Sequence, residues 1–248
     1  TARCFREHAM ILALDAGNTR IKWGLYQPDQ GWLAHGALAH GAFGELAALV
    51  RRHGQPAAVA ASNVAGPIVA EELQALAATW GLPLQRVASQ ASQCGVINQY
   101  REPARLGADR WAALIGARHL HPGPCLVVSA GTATTVDLLA ADGCFLGGLI
   151  LPGLDLMRHA LAANTAQLAY ADGCFTPQPR SSEDAIYSGC VTAQLGAIER
   201  MYRQLPSGPD TLCLLTGGTA PAHAPHLAIP HRVEERLVLE GVVRVAVG

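Results

Sequence analysis

The chain has 248 residues, half of them hydrophobic and 15% charged, with a formal net charge of −1. This is the composition of a globular protein with a large core, built as one domain or as two of ~120 residues, and it excludes a disordered chain. It gives no basic footprint for nucleic acid, and no apolar run reaches the ~18 residues of a membrane span.

The opening residues TARCFREHA form neither a signal peptide nor a strand, so Met10 is read as the natural start and what precedes it as an addition. Residues 10–15 are a continuous apolar run ending in Asp15, which predicts a buried strand, and 20–26 predict its return. Apolar residues at helical spacing predict helices over 43–53 and 68–80, with Gly54 and Gly81 at their ends. Short strands are expected at 57–62 and 84–87, and a helix at 109–120. The pattern then restarts: a hairpin over 125–139, a strand at 145–151 broken by Pro152-Gly153, helices at 154–163 and 182–204, and a strand at 211–215. Strands and helices in this order describe mixed α/β lobes. With no Pro/Ser-rich linker, the boundary is placed near residue 118, giving lobes 10–118 and 119–248. The apolar stretch 146–168 is read as core or as subunit interface.

Seven cysteines, at 4, 94, 125, 144, 174, 190 and 213, are odd in number and show no C-x-x-C spacing. Neither a disulfide framework nor a zinc site is indicated, and a reducing cytoplasm is the expected compartment. The histidines show no paired-ligand spacing and are read mostly as surface residues. The pentapeptide ADGCF occurs at 141–145 and 171–175 and is read as two chance Asp-Gly turns.

One device occurs twice. Residues 11–26, ILALDAGNTRIKWGLY, and 125–139, CLVVSAGTATTVDLL, each join two apolar runs through Ala-Gly and small polar residues. A strand–turn–strand tip of this kind exposes backbone N–H groups and hydroxyls, which suits an anionic phosphate. Two such tips suggest a nucleotide held in a cleft between similar lobes. Asp15 caps the turn at Gly17, or it organises Mg²⁺ on a nucleotide phosphate. Gly17 permits close approach to an anion, Asn18 and Thr19 add donors, and Lys22 is a phosphate charge or a solvated strand residue. In the second tip Thr132, Thr134 and Thr135 are phosphate contacts or β-formers, and Asp137 faces the cleft or ends the hairpin. In GADRW, Asp109 is either the N-cap of the 109–120 helix or a general base, with Arg110 beside it for an anionic substrate. Tyr100 and Arg105 are candidate pocket walls. Thr216-Gly217-Gly218 binds the nucleoside end or a phosphate, or is a plain turn. No G-x-x-x-x-G-K-[ST] is present, so this is no P-loop protein.

D-x-G-N-T at 15–19, G-A-D-R at 107–110, G-T-A-T-T at 131–135, GGLILPG at 147–153 and TGG at 216–218 together resemble the type III pantothenate kinases, and especially the proteobacterial branch once named Bvg accessory factor. Each motif alone is weak; five in order over the chain from Met10 are specific. The resemblance implies the acetate-and-sugar-kinase, Hsp70 and actin superfamily: two duplicated ribonuclease-H-like, actin-like ATPase lobes with a central cleft. It implies transfer of the ATP γ-phosphate to the 4′-hydroxyl of pantothenate, the first step toward coenzyme A. By motif, Asp15, Ala16, Gly17, Asn18, Thr19, Arg20, Ile21 and Lys22 would form the first ATP loop and Thr132 would contact ATP. Asp109 would accept the proton, while Tyr100, Gly107, Ala108, Arg110 and Ser182 would line the pantothenate site. A homodimer is implied, with Mg-ATP as substrate and K⁺ or NH₄⁺ as a monovalent cation. Many relatives hold that cation with an Asp where this chain has Ser129, and a Thr stands where this chain has Ser182. Two other readings remain at this stage: a superfamily kinase or phosphatase for another small molecule, and a nucleotide-binding regulatory protein without turnover.

Overall fold

The computed structural model describes residues 9–165 and 170–248. The reading of the segment before Met10 falls on residues 1–8, outside the described residues, as does the end of the 146–168 stretch. Contacts divide the chain into two units, one of residues 1–120 with 236–248 and one of residues 121–235. The first boundary between the units falls at 120/121, and the chain returns to its first unit for the last segment.

The first unit contains β1 (Ile11–Ala16), β2 (Ile21–Gln27), β3 (Gly31–Leu38), α1 (Phe43–Arg51), β4 (Ala58–Asn63), α2 (Pro67–Ala78) and β5 (Leu84–Arg86). A small hairpin of β6 (Ser92–Gln93) and β7 (Val96–Asn98) and the helix α3 (Ala108–Leu120) follow. The second unit contains β8 (Cys125–Ala130), β9 (Ala133–Leu139), β10 (Cys144–Pro152), α4 (Leu154–Asn164), α5 (Ser182–Tyr202), β11 (Leu212–Thr216), α6 (Ala220–His223) and β12 (His231–Val233). The last helix, α7 (Leu237–Val247), belongs to the first unit.

The two sheets repeat one topology. The first is ordered β3-β2-β1-β4-β5 and the second contains β10-β9-β8-β11-β12 in the same sequence of positions. In each, three strands form an antiparallel meander and two more run parallel to the first strand. This is the ribonuclease-H-like arrangement, made twice. The central strand β1 is buried along its whole length, which accounts for its unbroken apolar run. One of its faces, with Leu12 and Leu14, packs with Val59, Leu46, Val50 and Leu73 under α1 and α2. In the second unit Leu126 and Val128 of β8 pack with Cys190, Val191 and Ile198 of α5.

Helix α7 packs against α3 through two glycines. A Cβ on Gly116 would stand 2.2 Å from the Leu237 carbonyl oxygen, and one on Gly241 would stand 1.8 Å from that of Ala112. No other residue type permits backbones this close, and the contact seats α3 firmly. Residues Arg110–Ala117 of α3 are all buried as a result.

Candidate active site

Strand β1 ends on Asp15 and Ala16, and the chain turns through Gly17, Asn18, Thr19 and Arg20 into β2. The turn is closed by Gly17 N–H donating to the Arg20 carbonyl at 3.2 Å, and a His40 ring nitrogen lies 3.0 Å from the Gly17 carbonyl. Asn18, Thr19 and Arg20 are exposed, as a ligand-binding tip requires. Ala16 and Ile21, by contrast, belong to the core, so they could offer a ligand only backbone groups.

Asp15 is 9% exposed. Lys22 is its register partner on β2 and Ser62 its neighbour on β4. The Ser62 hydroxyl donates to Asp15 Oδ1 at 2.8 Å. Burial pushes the Asp15 carboxyl up to about 6, against the Ser62 hydrogen bond and the Lys22 charge, while the negative charge of Asp109 adds to the rise. Asp15 and Asp109, 94 positions apart in the sequence, thus act on each other electrostatically. The other expectation, Asp15 as a turn cap, has no support in the Gly17 turn, which closes through backbone groups.

Helix α3 begins at Ala108, one residue earlier than expected, so Asp109 lies in its first turn and is not its N-cap. Its carboxylate folds back over Gly107, whose missing Cβ would stand 2.7 Å from Asp109 Oδ1. Arg110 is 5% exposed; its Nη1 donates to the Tyr100 hydroxyl at 2.9 Å, and its guanidinium lies over the Tyr100 ring, 5.6 Å from the centroid. Tyr100 is placed in turn by Asn98, whose Oδ1 accepts from the Tyr100 N–H and whose Nδ2 donates to Ser89 and the Pro103 carbonyl. The structure therefore gathers Tyr100, Gly107, Ala108, Asp109 and Arg110 at one end of α3. Arg105 stands apart: its exposed side chain pairs with exposed Glu102 at 3.2 Å.

The second tip is shaped by glycines from two other segments. The Gly153 N–H donates to the Thr132 carbonyl at 2.9 Å, and a Cβ on Gly153 would stand 2.0 Å from the Gly131 carbonyl oxygen. Gly217, at φ +105°, packs on Ala130, and the Thr219 N–H donates to the Ala130 carbonyl. The end of GGLILPG and the TGG turn are thus the walls of the second tip. Thr132 is exposed, while Thr134 and Thr135 are buried in the sheet. Thr134 donates to Gln194 Oε1 at 3.0 Å, which makes it a structural residue. Asp137 is 1% exposed on β9, so it does not end the hairpin. Ser129 is flanked in register by Thr135 and Thr216. Behind the TGG turn His223 is fully buried, an exception to the surface reading of the histidines; burial lowers its pKa, and its Nδ1 lies 2.7 Å from the Thr219 carbonyl.

Ser182 opens α5 on the second unit, is exposed, and lines a groove of about 400 Å³ with Met157, Leu161 and Ile186. The two ADGCF segments differ in use. Asp142 Oδ1 accepts from its own Cys144 N–H, whereas the Cys174 N–H donates to Asp184 of α5. Sequence reasoning passed over Ser62, a small hydroxyl at the end of an apolar strand. Among the described residues no group of three or more His, Cys, Asp or Glu could hold a metal ion.

Comparison with solved structures gives the same fold. A Baf family protein from Campylobacter jejuni superposes with a TM-score of 0.61 at 18% identity, covering 94% of this chain and 96% of that one. The activator of 2-hydroxyisocaproyl-CoA dehydratase from Clostridium difficile, with bound ADPNP, gives 0.54 at 12% identity over 96% and 93%. Sequence comparison is more specific. The model of the type III pantothenate kinase family matches residues 11–204. The type III pantothenate kinase of Aromatoleum aromaticum is 53% identical over 96% of this chain and 98% of its own, and that of Azoarcus sp. is 52% identical over 96% and 90%. Identity at this level runs through both units and across nearly the whole of each relative, and on that basis the chain belongs to the type III pantothenate kinase family.

Proposed function

We propose that this chain phosphorylates pantothenate at its 4′-hydroxyl with ATP, through Asp109 as proton acceptor and Asp15 at the phosphates. The activity is that of its family, the ATP-dependent phosphorylation of pantothenate that opens coenzyme A biosynthesis. The observation that carries the assignment of roles is the pairing of two carboxylates in different settings. Asp15 sits at a buried strand end beside an exposed Gly-Asn-Thr tip, and Asp109 sits beside the Tyr100–Arg110 pair.

In this reading the pantothenate 4′-oxygen attacks the γ-phosphorus. The bond from that phosphorus to the β,γ-bridging oxygen breaks, and its electron pair leaves with ADP. The hydroxyl proton passes to Asp109. Phosphoryl transfer needs little covalent chemistry from the protein, so positioning and electrostatics supply most of the catalysis. Asp15, Gly17, Asn18, Thr19, Arg20 and Lys22, with the backbone of Ala16 and Ile21, are assigned to MgATP, as is Thr132. Arg110, held by Tyr100, is assigned to the pantothenate carboxylate, with Gly107 and Ala108 as backbone walls and Ser182 as a further hydroxyl contact. Replacing Asp109 by Asn in a coupled assay with pantothenate and ATP should lower kcat by at least about 100-fold; full turnover would end the assignment.

A monovalent cation is the family feature that fits least. The matching position offers Ser129 between Thr135 and Thr216, three neutral hydroxyl residues with no carboxylate. Neutral oxygens alone stabilise a cation less than a set containing a carboxylate. A homodimer is supported by the exposed apolar residues Leu146, Leu149 and Ile150 of β10 and Leu156 and Leu161 of α4. Cytoplasmic location accords with six described cysteines that are all free thiols. No described helix is long and apolar enough to cross a membrane.

A further inference from the structure

Ser62 is fully buried at the end of β4, and its hydroxyl donates to Asp15 Oδ1 at 2.8 Å. The two residues are 47 positions apart and meet because β4 runs parallel to β1 with Ser62 in register beside Asp15. The strand end carrying Ser62 is fixed from both sides. The next residue, Asn63, accepts from the Ala65 N–H at 2.9 Å and donates to the Gly66 carbonyl at 3.0 Å, locking the turn out of the strand. The Val64 N–H then donates to the Ala16 carbonyl at 3.0 Å, tying that turn to the end of β1. From this fixed backbone the hydroxyl takes one of the two Asp15 oxygens.

The second unit supplies an internal comparison. Thr216 occupies the matching register position beside Ser129, but its hydroxyl donates to the Glu235 carbonyl at 3.4 Å. The hydroxyl is present in both copies of the fold, and it is paired with a carboxylate in the first.

We propose that Ser62 is a positioning residue of the phosphoryl-transfer site: by holding Asp15 Oδ1 it fixes the carboxylate so that Oδ2 is presented to the magnesium-bearing triphosphate. This rests on the reading of Asp15 as a MgATP residue. A buried carboxylate with free rotation would meet the nucleotide in several orientations, and its ordering would oppose binding. The hydroxyl performs that ordering in advance. It also supplies a hydrogen bond to the anion, of the kind whose loss is felt most strongly.

The test is a cycle of wild type, S62A, D15N and the double variant, with S62C as a near-isosteric second replacement and S62T as the variant that keeps the hydroxyl. Thermal unfolding establishes which variants fold, and calorimetry measures affinity for MgADP and for a non-hydrolysable MgATP analogue. Steady-state kinetics are run on the active ones. S62A and S62C should weaken nucleotide affinity and raise the KM for MgATP by about tenfold, with the KM for pantothenate changed by less than about twofold. S62T should restore the affinity. In the D15N background S62A should add less than about twofold, because residues acting through one contact are not additive. Wild-type nucleotide affinity in both S62A and S62C would overturn the proposal, as would an S62A effect that persists undiminished beside D15N. If D15N itself leaves nucleotide affinity untouched, the reading of Asp15 fails and the proposal fails with it; a D15N effect without a Ser62 effect overturns the proposal alone.

Discussion

A Cβ at residue 107 would stand 2.7 Å from Oδ1 of Asp109, so it is the glycine that lets the Asp109 carboxylate fold back over the start of α3. The obstructing atom is the end of a flexible side chain, so an alanine here would push the carboxylate aside and leave the backbone where it is. Gly107→Ala should therefore separate activity from stability. Stability should hold or rise by about 0.5 kcal/mol from the smaller entropy of the unfolded chain, while kcat falls by about 10- to 100-fold through displacement of the proposed proton acceptor. Thermal unfolding beside steady-state kinetics checks both halves. Unchanged kcat would mean that the observed carboxylate position is not the working one.

The Asp15 carboxyl is pushed up to about 6 by burial. The folded pKa lies above the unfolded one, so the native chain holds this proton over the interval between them. That contribution to stability is fully present below about 4, the unfolded value, and is lost as pH rises through about 6. At neutral pH the ionised side chain weakens the free protein. Asp15→Asn should then be more stable than wild type at pH 7.5 by roughly 2–3 kcal/mol, with the difference vanishing near pH 4, while nucleotide affinity and turnover fall. In the wild type, kcat/KM for MgATP should fall with acid below about pH 6, since this ratio reports the free enzyme. An acid limb unchanged in a variant that retains turnover but lacks the Asp15 carboxyl would refute the assignment. A stability gained together with a function lost is the expected mark of a site carboxylate kept in an unfavourable place.

How far the sequence discloses this arrangement depends on the range of the interaction concerned. The two Ala-Gly hairpins are local, and apolar runs on either side of a tip fix strand, turn and strand to within a residue or so. Helix α7 is different. Its sequence LVLEGVVRVAV is a short apolar run rich in β-branched valine, which suits a buried strand as readily as a helix. Its return to the first unit is a tertiary fact with no local trace. Ser62 shows the same limit at the site: what distinguishes it is strand register with Asp15, and no spacing in the chain encodes that. Arg105 is the converse case. A cation near a motif looks the same in sequence whether it faces a ligand or, as here, an exposed glutamate.

The two copies of the fold also differ where relatives are expected to use an inorganic cation, and that difference is measurable. Ser129 stands between Thr135 and Thr216 with hydroxyl neighbours on both sides. The corresponding place in the first unit has Asp15 between Lys22 and Ser62, a carboxylate with a cation already beside it. Without a carboxylate the second place has little to offset the dehydration of K⁺ or NH₄⁺. Turnover with pantothenate and MgATP should therefore change by less than about twofold when K⁺ is exchanged for Na⁺ or a bulky organic cation at constant ionic strength. Ser129→Asp places a carboxylate among the same hydroxyls and should make the rate respond to K⁺. Strong K⁺ activation of the wild type would mean that other oxygens of this chain hold the ion, and that Ser129 is not where the requirement is decided.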